Sequence, residues 1–201
     1  MSRRSWAAGA FAAMALAGTA LAQPADFAPA ARFIERTGRE LGGLIAANPD
    51  SVTRRDRLAL FLDRVVDVDG LGRFCLGRYW QAATPAQQAE YRRLFRITLA
   101  DNVASRLGAA TADVAKVQTD RPERKGDEIW VPTLIERPNN RPNRVVWVVV
   151  PAGDSYKIVD VVAEGISLRL TFRSDYVSFL ASNNGNVSVL LRALQQKASP
   201  G

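Results

Sequence analysis

The chain has 201 residues, 47% of them hydrophobic, enough for one domain with a substantial core. It contains no histidine and a single cysteine, Cys75. Ser-His-Asp and Cys-His catalytic pairs, histidine-bearing zinc sites, thiolate clusters and internal disulfides are therefore excluded. The net charge of +7 is spread among acids, as in Arg32, Glu35, Arg36, Arg39 and Glu40, which reads as solvated helix faces and argues against a nucleic-acid footprint.

At the N-terminus, Arg3 and Arg4 precede an apolar stretch from Trp6 to about Leu16 and the small-residue end Ala20-Leu21-Ala22. These are the three parts of a secretory signal, with the cut before Gln23. The stretch is too short to span a membrane, which takes about 20 apolar residues. Residues 1–22 are thus expected to be a signal peptide, and residues 23–201 a single exported domain whose charge, without Arg3 and Arg4, is +5. That balance would favour transient contact with an anionic lipid surface, at ~1 kcal/mol per nearby Lys or Arg.

Phe27, Ala31, Ile34, Leu41 and Ile45 fall at helical spacing and predict a first helix ending at Asn48-Pro49. Leu58, Phe61, Leu62, Val65 and Val66 mark a second, capped by Asp50 or Ser51. A short third runs to about Gly77. Thr84-Pro85-Ala86-Gln87 is a capping box with proline at the first helical position, so a fourth helix starts there and reaches about Leu107. The period then changes. Val114 to Thr119, Glu128 to Arg137, Arg144 to Val150 and Tyr156 to Ala163 read as four strands, and their short Pro-, Gly-, Asn- and Asp-bearing connections predict an antiparallel meander. Leu168 to Leu180 and Val187 to Leu194 read as two closing helices. The expected fold is α+β: four helices, a curved four-stranded antiparallel sheet, then two helices.

A sheet with one wet face alternates apolar and polar residues. Val145-Val146-Trp147-Val148-Val149-Val150 does not, and Ile158 to Val162 barely does, so both faces must be covered. Two arrangements satisfy this: a solid interior, or a curved sheet and helices that enclose an apolar cavity. The second would suit a lipid. Each acyl methylene left in water costs ~0.8 kcal/mol, so a two-chain lipid with on the order of thirty faces ~25 kcal/mol and needs a covered slot. An enzyme would have to use carboxylates, and Asp160, Glu164 and Asp175 near the last strand and following helix are the candidates. In the simpler reading Glu164-Gly165 is a turn, Ser167 a helix cap and Asp175 a surface residue beside Arg173. A module whose apolar surface meets a protein partner is a third alternative.

Two segments carry a family resemblance. One is Leu76-Gly77-Arg78-Tyr79-Trp80 followed by Thr84-Pro85 and the helix bearing Tyr91 and Phe95. The other is the strand-turn-helix stretch from Tyr156 to Leu168, ending Glu164-Gly165-Ile166-Ser167-Leu168. In this order they resemble the MlaC, or toluene-tolerance, family of periplasmic phospholipid-binding proteins over nearly the whole exported chain. The sequence departs from the family pattern at Thr171 to Tyr176, where the aromatics are exchanged and Asp175 is introduced, and at Asn184-Gly185, where a Gly-Gly is reduced. Part of this broad family is associated with hopanoid traffic. The resemblance implies a carrier of phospholipid, without metal or nucleotide, shuttling between an outer-membrane lipid-handling complex and an inner-membrane ABC transporter. It also implies pocket walls from the sheet and its helices. The expected lining is Tyr79, Trp80, Tyr91, Phe95, Leu99, Trp130, Leu134, Trp147, Val149, Val161, Ile166, Phe172 and Tyr176.

Overall fold

The structure is a computed structural model that describes residues 27–47, 51–110, 116–136 and 142–198. The expected signal peptide, the Asn48-Pro49 stop and Val114 lie outside them. Five helices precede the sheet: α1 (Ala28–Ala47), α2 (Ser51–Val65), α3 (Val68–Leu76), α4 (Tyr79–Ala82) and α5 (Pro85–Ala110). The strands are β1 (Lys116–Thr119), β2 (Glu123–Lys125), β3 (Glu128–Glu136), β4 (Asn143–Ala152), β5 (Ser155–Ala163) and β6 (Ile166–Ser167), followed by α6 (Leu168–Ser182) and α7 (Val187–Ala198). No helix among the described residues is long and apolar enough to cross a membrane.

The α+β class is as expected, but the counts are corrected to seven helices and six strands among the described residues. The additions are all short. Gly77 ends α3 at φ +57, its N–H donating to the Arg73 carbonyl at 3.0 Å, and a single separate turn, α4, follows before the capping box. Strands β2 and β6 have three and two residues. Elements this small carry no periodicity for a sequence to display.

The capping box forms reciprocally. The Gln87 N–H donates to the Thr84 hydroxyl at 3.2 Å, and the Thr84 N–H donates to the Gln87 side-chain oxygen at 2.9 Å. Helix α5 then runs through the core, burying Tyr91, Leu94, Phe95, Leu99 and Ala100. Strands β3, β4 and β5 form the predicted meander, and β1 and β2 pair in succession along the same edge of β3. The break between β1 and β2 falls at Asp120-Arg121-Pro122, where proline has no N–H to give the ladder. Glu164 (φ +50) and Gly165 (φ +81) make the two-residue turn from β5 to β6, a reversal that needs positive φ at both positions. The rest of the β5 edge is met by Val66, bridged to Ile158, and by Asp67, whose N–H donates to the Ile158 carbonyl at 2.9 Å.

Cross-strand partners share a face, so Val131, Trp147 and Val161 lie on one side of the sheet and Trp130, Val148 and Asp160 on the other. On the first side Thr119 donates its hydroxyl to Glu35 of α1. On the second, Arg169 of α6 reaches Glu128 at 2.7 Å and Asp160 at 3.6 Å. Helices therefore cover both faces, as the unbroken valine run of β4 requires. Opposite Val148 and Val149 the register shifts, with Val159 as the extra residue, a bulge that bends β5.

Candidate functional site

Between α1, α2 and α5 on one side and β4, β5 and the start of α6 on the other lies a cavity of about 250 Å³. Helix α1 contributes Ile34, Thr37, Gly38 and Leu41, and α2 contributes Phe61, Leu62 and Val65. Val66 and Leu71 add to the wall, as do Leu99, Asn102 and Val103 of α5. The sheet supplies Trp147 and Ile158 to Val161, and α6 supplies Leu168, Arg169 and Phe172. Four lining side chains are polar: Thr37, Asn102, Asp160 and Arg169.

Three of these four are engaged with the protein. Asn102 donates its amide to the Thr98 carbonyl at 2.8 Å. Asp160, 6% exposed, accepts the N–H groups of Val161 and Arg169 at 2.7 and 2.9 Å and the Ser167 hydroxyl at 2.5 Å. Ser167 in turn accepts the Leu170 N–H, capping α6 as predicted. Arg169 pairs with Glu128, whose other oxygen accepts the Trp130 indole N–H at 3.2 Å. The Glu128–Arg169–Asp160–Ser167 chain thus latches β3, β5 and α6 together, with Asp160 accepting three hydrogen bonds. These bonds make Asp160 a structural tie between β5 and α6. Glu164 lies in the exposed β5–β6 turn, accepting the Arg144 N–H at 3.2 Å, and Asp175 is exposed on α6. Of the three candidate carboxylates only Asp160 meets the cavity.

The expected lining residues are distributed over several environments. Leu99, Trp147, Val161 and Phe172 stand in the cavity wall, and the Trp147 indole N–H donates to the Thr133 hydroxyl at 3.1 Å, fixing the ring. Trp80, Tyr91, Phe95 and Tyr176 instead form a cluster joining α4, α5 and α6, with Tyr91 at 6.3, 5.7 and 6.3 Å from the other three ring centroids. Burial raises the Tyr91 phenol above its ordinary pKa and pushes that of Tyr176 up to about 12, as a dry interior does. Tyr79 packs against Gly185, where a Cβ would stand 3.0 Å from its ring, so the residue left of the Gly-Gly pair is needed for that close approach and for its φ of +72. Val149 is fully buried, Trp130 lies under the Lys125 ammonium at 3.9 Å, and Leu134 and Ile166 are 36% and 62% exposed.

The contribution of α1 and α2 to the wall is absent from the sequence-based set. Its one visible trace is Gly38, with Gly42 and Gly43 after it. A Cβ added at any of the three would meet nothing within 4 Å, so packing does not demand glycine there, and each costs a helix about 1 kcal/mol against alanine.

Residues 44–196 match the family model described as MlaC protein. Among solved structures, a phospholipid-binding protein from Ralstonia solanacearum, in complex with a phospholipid, shares the fold at a TM-score of 0.68. The match has 20% sequence identity and covers 85% of this chain and 96% of that one.

Proposed function

The chain belongs to the MlaC family, and from that premise we propose that it carries phospholipid through the periplasm. Residues 1–22 export it and are removed, and residues 23–201 hold acyl chains in the cavity between the helices and the sheet. The carrier receives and delivers lipid at an outer-membrane lipid-handling complex and an inner-membrane ABC transporter. The observation that carries this reading is the apolar cavity itself, in a fold shared with a protein solved in complex with a phospholipid. Family and neighbour together support a lipid-binding protein; the shuttle between membranes is the proposal.

Leu99, Trp147, Val161 and Phe172 are assigned to the chains directly, and the Trp80–Tyr91–Phe95–Tyr176 cluster to the rigid backing behind them. Apolar walls match methylenes, which gain ~0.8 kcal/mol each on leaving water. Chemistry is not needed for this task, in keeping with Asp160 being spent on the β5–α6 latch.

The test is organic extraction of protein purified from the periplasm, followed by mass spectrometry. The wild type should yield about one phospholipid per chain. Gly38→Leu, which places a side chain into open space at the wall and improves helix propensity, should lose most of that lipid without losing thermal stability. Lipid-free wild-type protein, or a lipid load unaffected by Gly38→Leu, would refute the proposal.

A further inference from the structure

Thr37 differs from the other polar groups of the cavity wall. It is 7% exposed, and its hydroxyl has no hydrogen-bond partner among the described residues. Threonines within helices ordinarily return their hydroxyl to the carbonyl four residues back. Thr98 does so to Leu94 at 2.9 Å, and Thr171 to Ser167 at 2.9 Å. Thr37 does not make the corresponding bond to Phe33. With no protein acceptor among the described residues and an oxygen still reached by solvent, the hydroxyl is free to donate to what occupies the cavity.

Position narrows what that partner is. Gly38 and Asn102 are the two solvent-exposed residues of the wall, which puts the mouth beside them. Thr37 stands one residue inward from Gly38, where no Cβ intervenes between the mouth and the helix backbone. Farther in, apart from the latched Asp160 and Arg169, the wall is aliphatic and aromatic. A ligand with its hydrocarbon inside and its polar end outside brings the atoms joining the two to this point. In a diacyl phospholipid those atoms are the ester groups, and their carbonyl oxygens are acceptors.

Resting on the carrier reading, we infer that the Thr37 hydroxyl donates to an acyl ester carbonyl just inside the mouth, making the protein selective for ester-linked over ether-linked chains. An ether oxygen is a far poorer acceptor, and an all-hydrocarbon ligand offers none.

The experiment loads delipidated full-length mature protein from an equimolar mixture of diacyl and dialkyl phosphatidylethanolamine with equal chain lengths and quantifies the bound pair by mass spectrometry. The wild type should favour the diacyl lipid by about fivefold, as one neutral hydrogen bond provides. Thr37→Val, of the same shape, should bind both alike, and Thr37→Ser should keep the preference. Lipid-free Thr37→Val should melt no lower than wild type, because the hydroxyl it loses has no protein partner. Equal binding by the wild type, a preference that survives in Thr37→Val, or a lower melting temperature for the lipid-free variant each overturns the assignment while leaving the carrier reading standing. Wild type that takes up neither lipid overturns both.

Discussion

Cys75 is fully buried between α3 and α6, and burial pushes its thiol pKa from 9.0 up to about 12, with Asp160 adding to the rise against Arg173 and Arg169. A group that holds its proton longer when folded stabilises the native state at low pH and ceases to do so as pH climbs. Between about 9 and 12 the unfolded chain has released the proton and the native chain has not, so stability falls by about 1.4 kcal/mol per pH unit for that one group. Urea unfolding between pH 9 and 10 should show stability falling with pH, with the buried Tyr91 and Tyr176 adding to the fall, and Cys75→Ala should remove about 1 kcal/mol of it. At pH 8 the native thiol should react with a disulfide reagent only at the rate of global unfolding; immediate labelling would contradict the burial. At this scale the sequence shows which side chains are large and apolar, but not which of them line space and which fill it. Phe172 and Tyr176 lie one helical turn apart on α6 and are both aromatic, yet one faces the cavity and the other the ring cluster. Composition is the same on either side of that boundary; only the placement of α1 and α2 draws it.

Two glycines at helical segments make opposite demands. Gly38 lies inside α1 with helical dihedrals and open space where a Cβ would go. Gly77 closes α3 at φ +57 and ψ −131, with the Arg173 guanidinium 3.3 Å from a Cβ. Gly38→Ala should therefore stabilise the lipid-free protein by up to about 1 kcal/mol. Gly77→Ala should destabilise it by about 1–3 kcal/mol, since a side chain is strained in that backbone region. Thermal unfolding of the two variants decides it, and shifts of the same sign would refute the distinction. Helix α5 and strands β3, β4 and β5 were legible because their signals are local and long: a reciprocal cap, a sustained stripe, valine runs between turn residues. What escaped was short or dependent on partners. Strand β2 exists because β3 offers it an edge, and α4 because Gly77 reverses the chain and lets one more turn form.

At the scale of the molecule, the cavity of about 250 Å³ lies below the ~300–1,000 Å³ of sites for drug-sized ligands. On the carrier reading, a phospholipid's chains would have to displace part of the wall as they enter. The second half of α1 is the section that yields most cheaply. It carries three glycines without packing partners, whereas the first half is held by the buried Phe33, Ile34 and Thr37 and by the Glu35–Thr119 hydrogen bond. Hydrogen exchange should find amides of residues 38–47 less protected than those of the buried middle of α5 in lipid-free protein, and slowed by lipid loading. Uniform protection in both states would place the opening elsewhere.

Opening such a molecule bares the oily face of a sheet, and the rims of that sheet then decide whether two opened copies would fuse. One rim is split by Pro122 and continues as Glu123-Arg124-Lys125, all three solvent-exposed. The other ends in a two-residue strand, with its middle occupied by Val66 and Asp67. Neither presents the long, flat row of free amides and carbonyls on which a second chain could template itself. Opened copies that collide would touch grease to grease, without a shared ladder of backbone bonds to lock them, and so could separate and close again.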